Sequence, residues 1–267
     1  MAKLTNLIDV TKCTGCRACQ VACKQWNQLK AEITPFKGTY QTHPDLMAHT
    51  YTVVMFNEYE EKDGQIKWYF RKHQCMHCEH PVCVEVCPRQ ALMKTDTGAV
   101  IRDKDKCIGC QYCVYSCPFQ VPKYDKQADK ATKCELCYDR MVAGIIPACA
   151  KACPTGAIMY GKRDELLAYA QKRINELKPT NPKANVYGVK ELGGLNVLYV
   201  LADEPEKYGL PSNPQVPAHV GLWQRVVQPY GGWLIGLAAA GAIGSFFSTR
   251  LINLMNSKAK GGKTHGH

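Results

Sequence analysis

Residues 107–118 read CIGCQYCVYSCP. Three cysteines spaced C-x2-C-x2-C can wrap one iron–sulfur cube, and a fourth, three residues on and followed by proline, is directed to a different cube. The pattern occurs four times, an internal repeat to be read before any single residue. Cys13, Cys16, Cys19 and Cys23 lie in TKCTGCRACQVACK. Cys75, Cys78, Cys83 and Cys87 lie in HQCMHCEHPVCVEVCP. Cys107, Cys110, Cys113 and Cys117 form the opening stretch. Cys134, Cys137, Cys149 and Cys153 lie in TKCELCYDRMVAGIIPACAKACP. Group two widens one gap to four residues, and group four opens eleven residues between Cys137 and Cys149. Pro88, Pro118 and Pro154 close groups two, three and four; Lys24 stands in that place in group one.

All 16 cysteines lie between Cys13 and Cys153, and residues 154–267 contain none. Four ligands per cube divide them into four [4Fe–4S] clusters with no spare thiol. Zinc sites usually pair C-x2-C units across longer loops and do not repeat C-x2-C-x2-C-x3-C. A disulfide scaffold belongs to short secreted chains. This chain has 267 residues, 46% of them hydrophobic, and opens MAKLTNLIDV without an apolar signal run. No catalytic constellation stands beside the cysteines. His73, His77 and His80 are surplus as ligands and read as cluster neighbours or surface residues. Gly193-Gly194 reads as a turn, not a phosphate loop.

Outward from the cysteines, Thr50–Phe56 and Ile66–Phe70 are β-branched and aromatic around Asp63-Gly64, which predicts a hairpin over about 50–72. ALMK and AVIRD flank Asp96-Thr97-Gly98 as a shorter pair. Residues 163–177 predict an amphipathic helix with Leu166, Leu167, Tyr169, Ala170, Ile174 and Leu177 on its apolar side and Pro179 at its end. Val197–Leu201 reads as a buried strand, and Pro205–Pro217 as a linker over a surface. Residues 226–249 carry no charged side chain. As a helix they reach roughly 36 Å, enough for a hydrocarbon core of about 30 Å. Tyr230 and Trp233 suit an interface. Gly232, Gly236, Ala240, Gly244 and Ser248 form a small-residue stripe suited to a neighbouring membrane helix. Arg250, Lys258, Lys260 and Lys263 outnumber Arg225, so the positive-inside rule places the C-terminus in the cytoplasm and the cysteine-rich domain outside. The expected organisation is a four-cluster domain over 1–160, an extension packed on it over 161–220, a transmembrane helix over 221–252 and a tail, including KAKGGKTHGH, over 253–267.

LIDVTKCTGCRACQVACKQWN resembles the start of the iron–sulfur β subunits of membrane-bound respiratory formate dehydrogenases. So do RKHQCMHCEHPVC, CIGCQYCVYSCPFQVP, KCELCYDR and PACAKACPTGAI, and the likeness continues through VYG, YGLP and the C-terminal span. The cysteine motifs alone also occur in the subunits of other molybdopterin oxidoreductases and some hydrogenases. The resemblance implies an α+β fold, a double bacterial-ferredoxin-like domain with pseudo-twofold symmetry. It pairs motif one with four and two with three. Cluster 1 then takes Cys13, Cys16, Cys19 and Cys153, and cluster 2 takes Cys23, Cys134, Cys137 and Cys149. Cluster 3 takes Cys87, Cys107, Cys110 and Cys113, and cluster 4 takes Cys75, Cys78, Cys83 and Cys117. It further implies a non-catalytic electron-transfer subunit of a prokaryotic inner membrane. Its partners would be a molybdenum- or tungsten-bis-pterin catalytic α subunit and a cytochrome b γ subunit that passes electrons to quinone. A partner's twin-arginine signal would carry the loaded complex outward. The alternative is the same role in another molybdopterin oxidoreductase or a hydrogenase.

The formal charge of +11 invites nucleic acid or a membrane surface. Metal-bound thiolates with oxidised cores lower it to about +3. No recognised nucleic-acid module accompanies the charge, so much of it is countercharge. Lys12, Arg17, Lys24, Lys133 and Arg140, beside the cysteines, are the cations expected to favour the reduced clusters.

Overall fold

Sixteen cysteines leave little chain for long elements, and in the computed structural model no described element between Cys13 and Cys153 exceeds the nine residues of Ala18–Trp26. The structure describes residues 3–41, 43–61, 64–218, 220 and 228–261, with only the backbone of 228–229 and 256–261. The elements in order are β1 (Leu4–Asp9), α1 (Ala18–Trp26), β2 (Val53–Glu60), β3 (Ile66–His73), α2 (Val82–Glu85), β4 (Leu92–Lys94) and β5 (Val100–Arg102). Then follow α3 (Tyr112–Ser116), β6 (Lys123–Asp125), β7 (Lys130–Thr132), α4 (Tyr138–Val142), α5 (Ala148–Lys151) and β8 (Ile158–Lys162). The last are α6 (Arg163–Leu177), β9 (Asn185–Tyr187), β10 (Val197–Leu201) and α7 (Gln228–Gly261). The chain divides into two units, Met1–Val216 and Pro217–His267.

In the first unit one mixed sheet has the order β8-β1-β10-β9, with β1 and β10 parallel and the outer pairs antiparallel. Side chains alternate across a strand, and here the alternation separates two cores. Leu7, Leu198 and Val200 pack with Ala170, Ile174 and Leu177 of α6. Ile8, Val197, Tyr199 and Leu201 face the other way, into a core that contains Cys19, Cys75, Cys134 and Cys149. The sheet is thus a wall with a helix behind it and metal-ligand chemistry in front. Arg173 on α6 donates from Nε to the fully buried Asp9 Oδ2 at 3.2 Å and ties helix to wall.

Three hairpins stand in front of the sheet. β2–β3 pairs from Val53↔His73 to Glu60↔Ile66; against the sequence reading its first strand starts three residues later and ends four later, and its second runs three residues further. Asp63 of its predicted turn lies outside the described residues. β4–β5 pairs where ALMK and AVIRD place it, and β6–β7, which periodicity alone does not announce, precedes the fourth cysteine group. The helix over 163–177 and the strand over 197–201 form as expected. The Pro-rich segment differs from expectation: Tyr208 and Leu210 are buried, and Arg71 Nε donates to Tyr208 O at 2.5 Å. Two apolar side chains draw its first half into the core.

In the second unit α7 is long and apolar enough over Tyr230–Met255 to cross a membrane, and its described side chains are exposed. It runs on to Gly261, past the expected end at 252. Residues 253–260 contain no glycine or proline to stop it. Arg225 and Lys263 of the charge argument lie outside the described residues, as do the side chains of Lys258 and Lys260.

Candidate metal centres

The cysteine loops share one backbone device. The residue two positions after the first cysteine of each group has positive φ: Gly15 (68°), His77 (47°), Gly109 (69°) and Leu136 (59°). A left-handed residue there curls the loop so that successive N–H groups face inward, the geometry of an anion-binding nest. Leu136 N donates to Cys134 Sγ at 3.4 Å and Ala91 N to Cys87 Sγ at 3.2 Å. In groups one and three a second left-handed residue, Arg17 or Gln111, turns the chain into the short helix α1 or α3. Cys19 and Cys23 then sit one turn apart on α1, so one helix joins two ligand groups.

Space is tightest at Gly109. A Cβ there would stand 2.7 Å from Asp129 O and closer still to Asp129 Oδ1. At Gly15 it would meet only aromatic side chains, Phe56 at 3.1 Å and Phe70 at 3.3 Å. Gly109→Ala is therefore expected to cost the cluster of the Cys107 loop, while Gly15→Ala largely keeps its own. Iron content and electron paramagnetic resonance of the two variants check this, and equal losses would contradict it.

The tertiary fold brings distant thiols together. Cys13, Cys16, Cys19 and Cys153 line one cavity with Arg17 and Lys72. Cys87, Cys107, Cys110 and Cys113 line another with Arg89 and Arg102. The thiols that act most strongly on Cys23 are Cys134, then Cys149 and Cys137. Those acting on Cys83 are Cys75, Cys117 and Cys78. Burial is the main cause that pushes Cys19 and Cys134 up to about 12 and Cys117 and Cys137 up to about 11. Such thiols become thiolates only when a cation replaces the proton.

The donor set fits iron–sulfur groups. It is all sulfur and soft, buried or half-buried except at Cys16 and Cys110, with backbone N–H groups aimed at it. Among the described residues, no three His, Cys, Asp or Glu side chains converge on a point that one metal ion could occupy. In a cube each thiolate holds its own iron, and the sulfurs spread around the group.

The cations named from sequence divide. Lys133 is buried and donates from Nζ to Cys134 O at 2.9 Å. Arg17 lies over the Phe56 ring at 4.7 Å and lines the first cavity. Lys12 turns to Tyr169 Oη at 2.7 Å, Lys24 to His49 O at 2.8 Å, and Arg140 stacks on Trp26 at 4.2 Å. His73 and His77 are buried and His80 is exposed. Val100 N donates to His77 Nδ1 at 2.9 Å. Lys72, a buried cation that lines the first cavity, escaped the sequence reading. The only signal was its place in RKHQC, three residues before Cys75.

Two family profiles match the chain, each described as a 4Fe-4S dicluster domain, over residues 66–163 and 12–91. The nitrate-inducible formate dehydrogenase iron-sulfur subunit of Escherichia coli K12 is 43% identical over 250 residues, 92% of this chain and 82% of that one. Formate dehydrogenase 2 subunit beta (cytochrome c-553) of Nitratidesulfovibrio vulgaris is 40% identical over 210 residues, 76% of this chain and 94% of its own. Hydrogenase-2 operon protein HybA of Escherichia coli O157:H7 is 36% identical over 243 residues, 78% of this chain and 73% of that one. With 16 cysteines in the matched region, the cofactors are four [4Fe–4S] clusters and the role is electron transfer. The chain belongs to the family of formate dehydrogenase iron–sulfur subunits.

Proposed function

We propose that this subunit conducts single electrons from a molybdenum- or tungsten-bis-pterin formate dehydrogenase subunit to a membrane cytochrome b and on to quinone. Bound clusters supply reversible one-electron storage. The chain's own residues hold them, exclude water and set the field around them, and turnover of formate belongs to the catalytic partner.

The observation that carries the reading is the crossed grouping of thiols. It supports cluster 1 on Cys13, Cys16, Cys19 and Cys153, and cluster 2 on Cys23, Cys134, Cys137 and Cys149. It likewise supports Cys75, Cys78, Cys83 and Cys117 for one further cluster, and Cys87, Cys107, Cys110 and Cys113 for the other. Cys19 feels Cys149, and Cys134 feels Cys75, whereas Cys113 feels only thiols of its own set among its main causes. These contacts support a wire that runs from cluster 1 through cluster 2 and the Cys75 set to the Cys107 set. Cys16 and Cys110, one in each end set, are exposed, which suits electron entry and exit. The hairpins β2–β3 and β6–β7, each leading into a cysteine group, support the pseudo-twofold arrangement.

On this reading α7 is a single span packed beside the cytochrome subunit, with the cluster domain outside and the C-terminus in the cytoplasm. The hydrogenase-operon relative favours a second reading, the same conduit serving another oxidoreductase. Purification of the native complex decides. The expected result is formate-to-quinone electron transfer, with molybdenum or tungsten, haem b and about sixteen iron atoms for this chain. A complex that leaves formate untouched and oxidises hydrogen or reduces another substrate selects the second reading.

A further inference from the structure

Lys72 is the most enclosed cation beside the cysteine sets. Its residue is 2% exposed, in the middle of the core that the sheet walls off. Tyr199 Oη donates to its backbone carbonyl at 2.7 Å, and strand pairing with Val54 fixes its backbone. Its ammonium donates to Gln74 Oε1, a neutral acceptor. It shares the first cavity with Cys13, Cys16, Cys19 and Cys153. Its strongest charged neighbours are Cys149, Cys19, Cys134 and Cys23, in that order, with no carboxylate among them.

A buried ammonium without an anionic partner is strongly disfavoured. Here the anions are thiolates from two different ligand sets, Cys19 from one and Cys23, Cys134 and Cys149 from the other. Once loaded, four thiolates around a core of about 2+ leave each cube anionic. Two anionic cubes side by side each raise the cost of adding an electron to the other. A fixed cation between them offsets that cost for both.

We propose that Lys72 is a positioning charge for the first electron hop, holding clusters 1 and 2 at reduction potentials high enough to accept electrons in turn. The inference rests on the ligand sets proposed above. It assigns to one side chain a task that the half-buried cations Lys12, Lys24 and Arg140 perform less well, because water screens them more.

The test uses the purified complex carrying Lys72→Met, Lys72→Gln or Lys72→Arg, with potentiometric titrations followed by electron paramagnetic resonance. Cys153→Ser and Cys23→Ser variants first identify the signals of clusters 1 and 2; an error in the ligand sets appears there, as loss of the wrong signal. The neutral variants are expected to shift the reduced-to-oxidised ratio of both clusters at least tenfold toward oxidised, a midpoint lower by about 59 mV. The signals of the other two clusters should move much less, and Lys72→Arg should keep wild-type values. Equal shifts in all four signals, no shift in any, or an arginine variant that behaves like the methionine variant overturns the proposal. If both neutral variants lose iron, the arginine variant decides. Full iron and wild-type midpoints with arginine support the charge; lowered midpoints or lost iron with arginine refute it.

Discussion

Cys23→Ser is expected to destroy the cluster whose other ligands are Cys134, Cys137 and Cys149, and to spare the one beside it in sequence. The intuitive result is the opposite, since Cys13, Cys16 and Cys19 lie within ten residues of Cys23. Helix α1 turns Cys23 away from them by one helical turn beyond Cys19. There its strongest thiol neighbours are Cys134, Cys149 and Cys137. Serine offers iron a harder, less readily ionised oxygen. About four of some sixteen iron atoms should be lost, with one resonance signal missing and that of the Cys13 set retained. Because this cluster is read as the second of four in series, formate-to-quinone transfer should fall to background while the catalytic subunit still reduces an artificial dye. Loss of the Cys13 signal alone would contradict the crossed assignment.

Truncation after Val216 is expected to release the chain from the membrane with its clusters intact. The boundary between units falls there, and both faces of the sheet are packed by residues before it. What is lost is α7, whose Tyr230–Met255 stretch has the length and hydropathy of a span. Removing a span changes membrane partitioning by orders of magnitude. Expressed without partner subunits and separated by ultracentrifugation, the full chain should pellet with membranes. The truncated chain should stay in the supernatant with about sixteen iron atoms. A truncated chain that still pellets with lipid would assign membrane attachment to the first unit. One that loses its iron would make α7 part of the cluster fold.

Local chemistry explains what was legible early. A thiol loop able to wrap an iron cube needs three cysteines at fixed short spacing, so C-x2-C-x2-C states its purpose without any tertiary context. The helix over 163–177 and the strand over 197–201 were equally plain, because an amphipathic or wholly apolar run carries its burial in its own composition. The backbone device was half legible. Gly15 and Gly109 advertise a left-handed turn, but His77 and Leu136 adopt the same conformation with side chains that conceal it. β1 gave little warning, since Thr5, Asn6 and Asp9 are polar and yet buried, with their neighbours supplied by chain some 150 residues or more away.

From its sequence alone this protein is committed to four iron–sulfur clusters, an electron-transfer task and one long apolar helix, because spacing, cysteine count and hydropathy are properties of contiguous chain. Which thiols stand together, and which lysine they enclose, was decided only by tertiary structure. Cys153 reaches Cys13, and Cys149 reaches Cys23, through the packing of β8 on β1 and of α1 on α5. Lys72 reads in sequence as one basic residue among 34. It becomes distinctive only where folding removes water from around it, since the field of a charge on its neighbours depends on what has been excluded from between them.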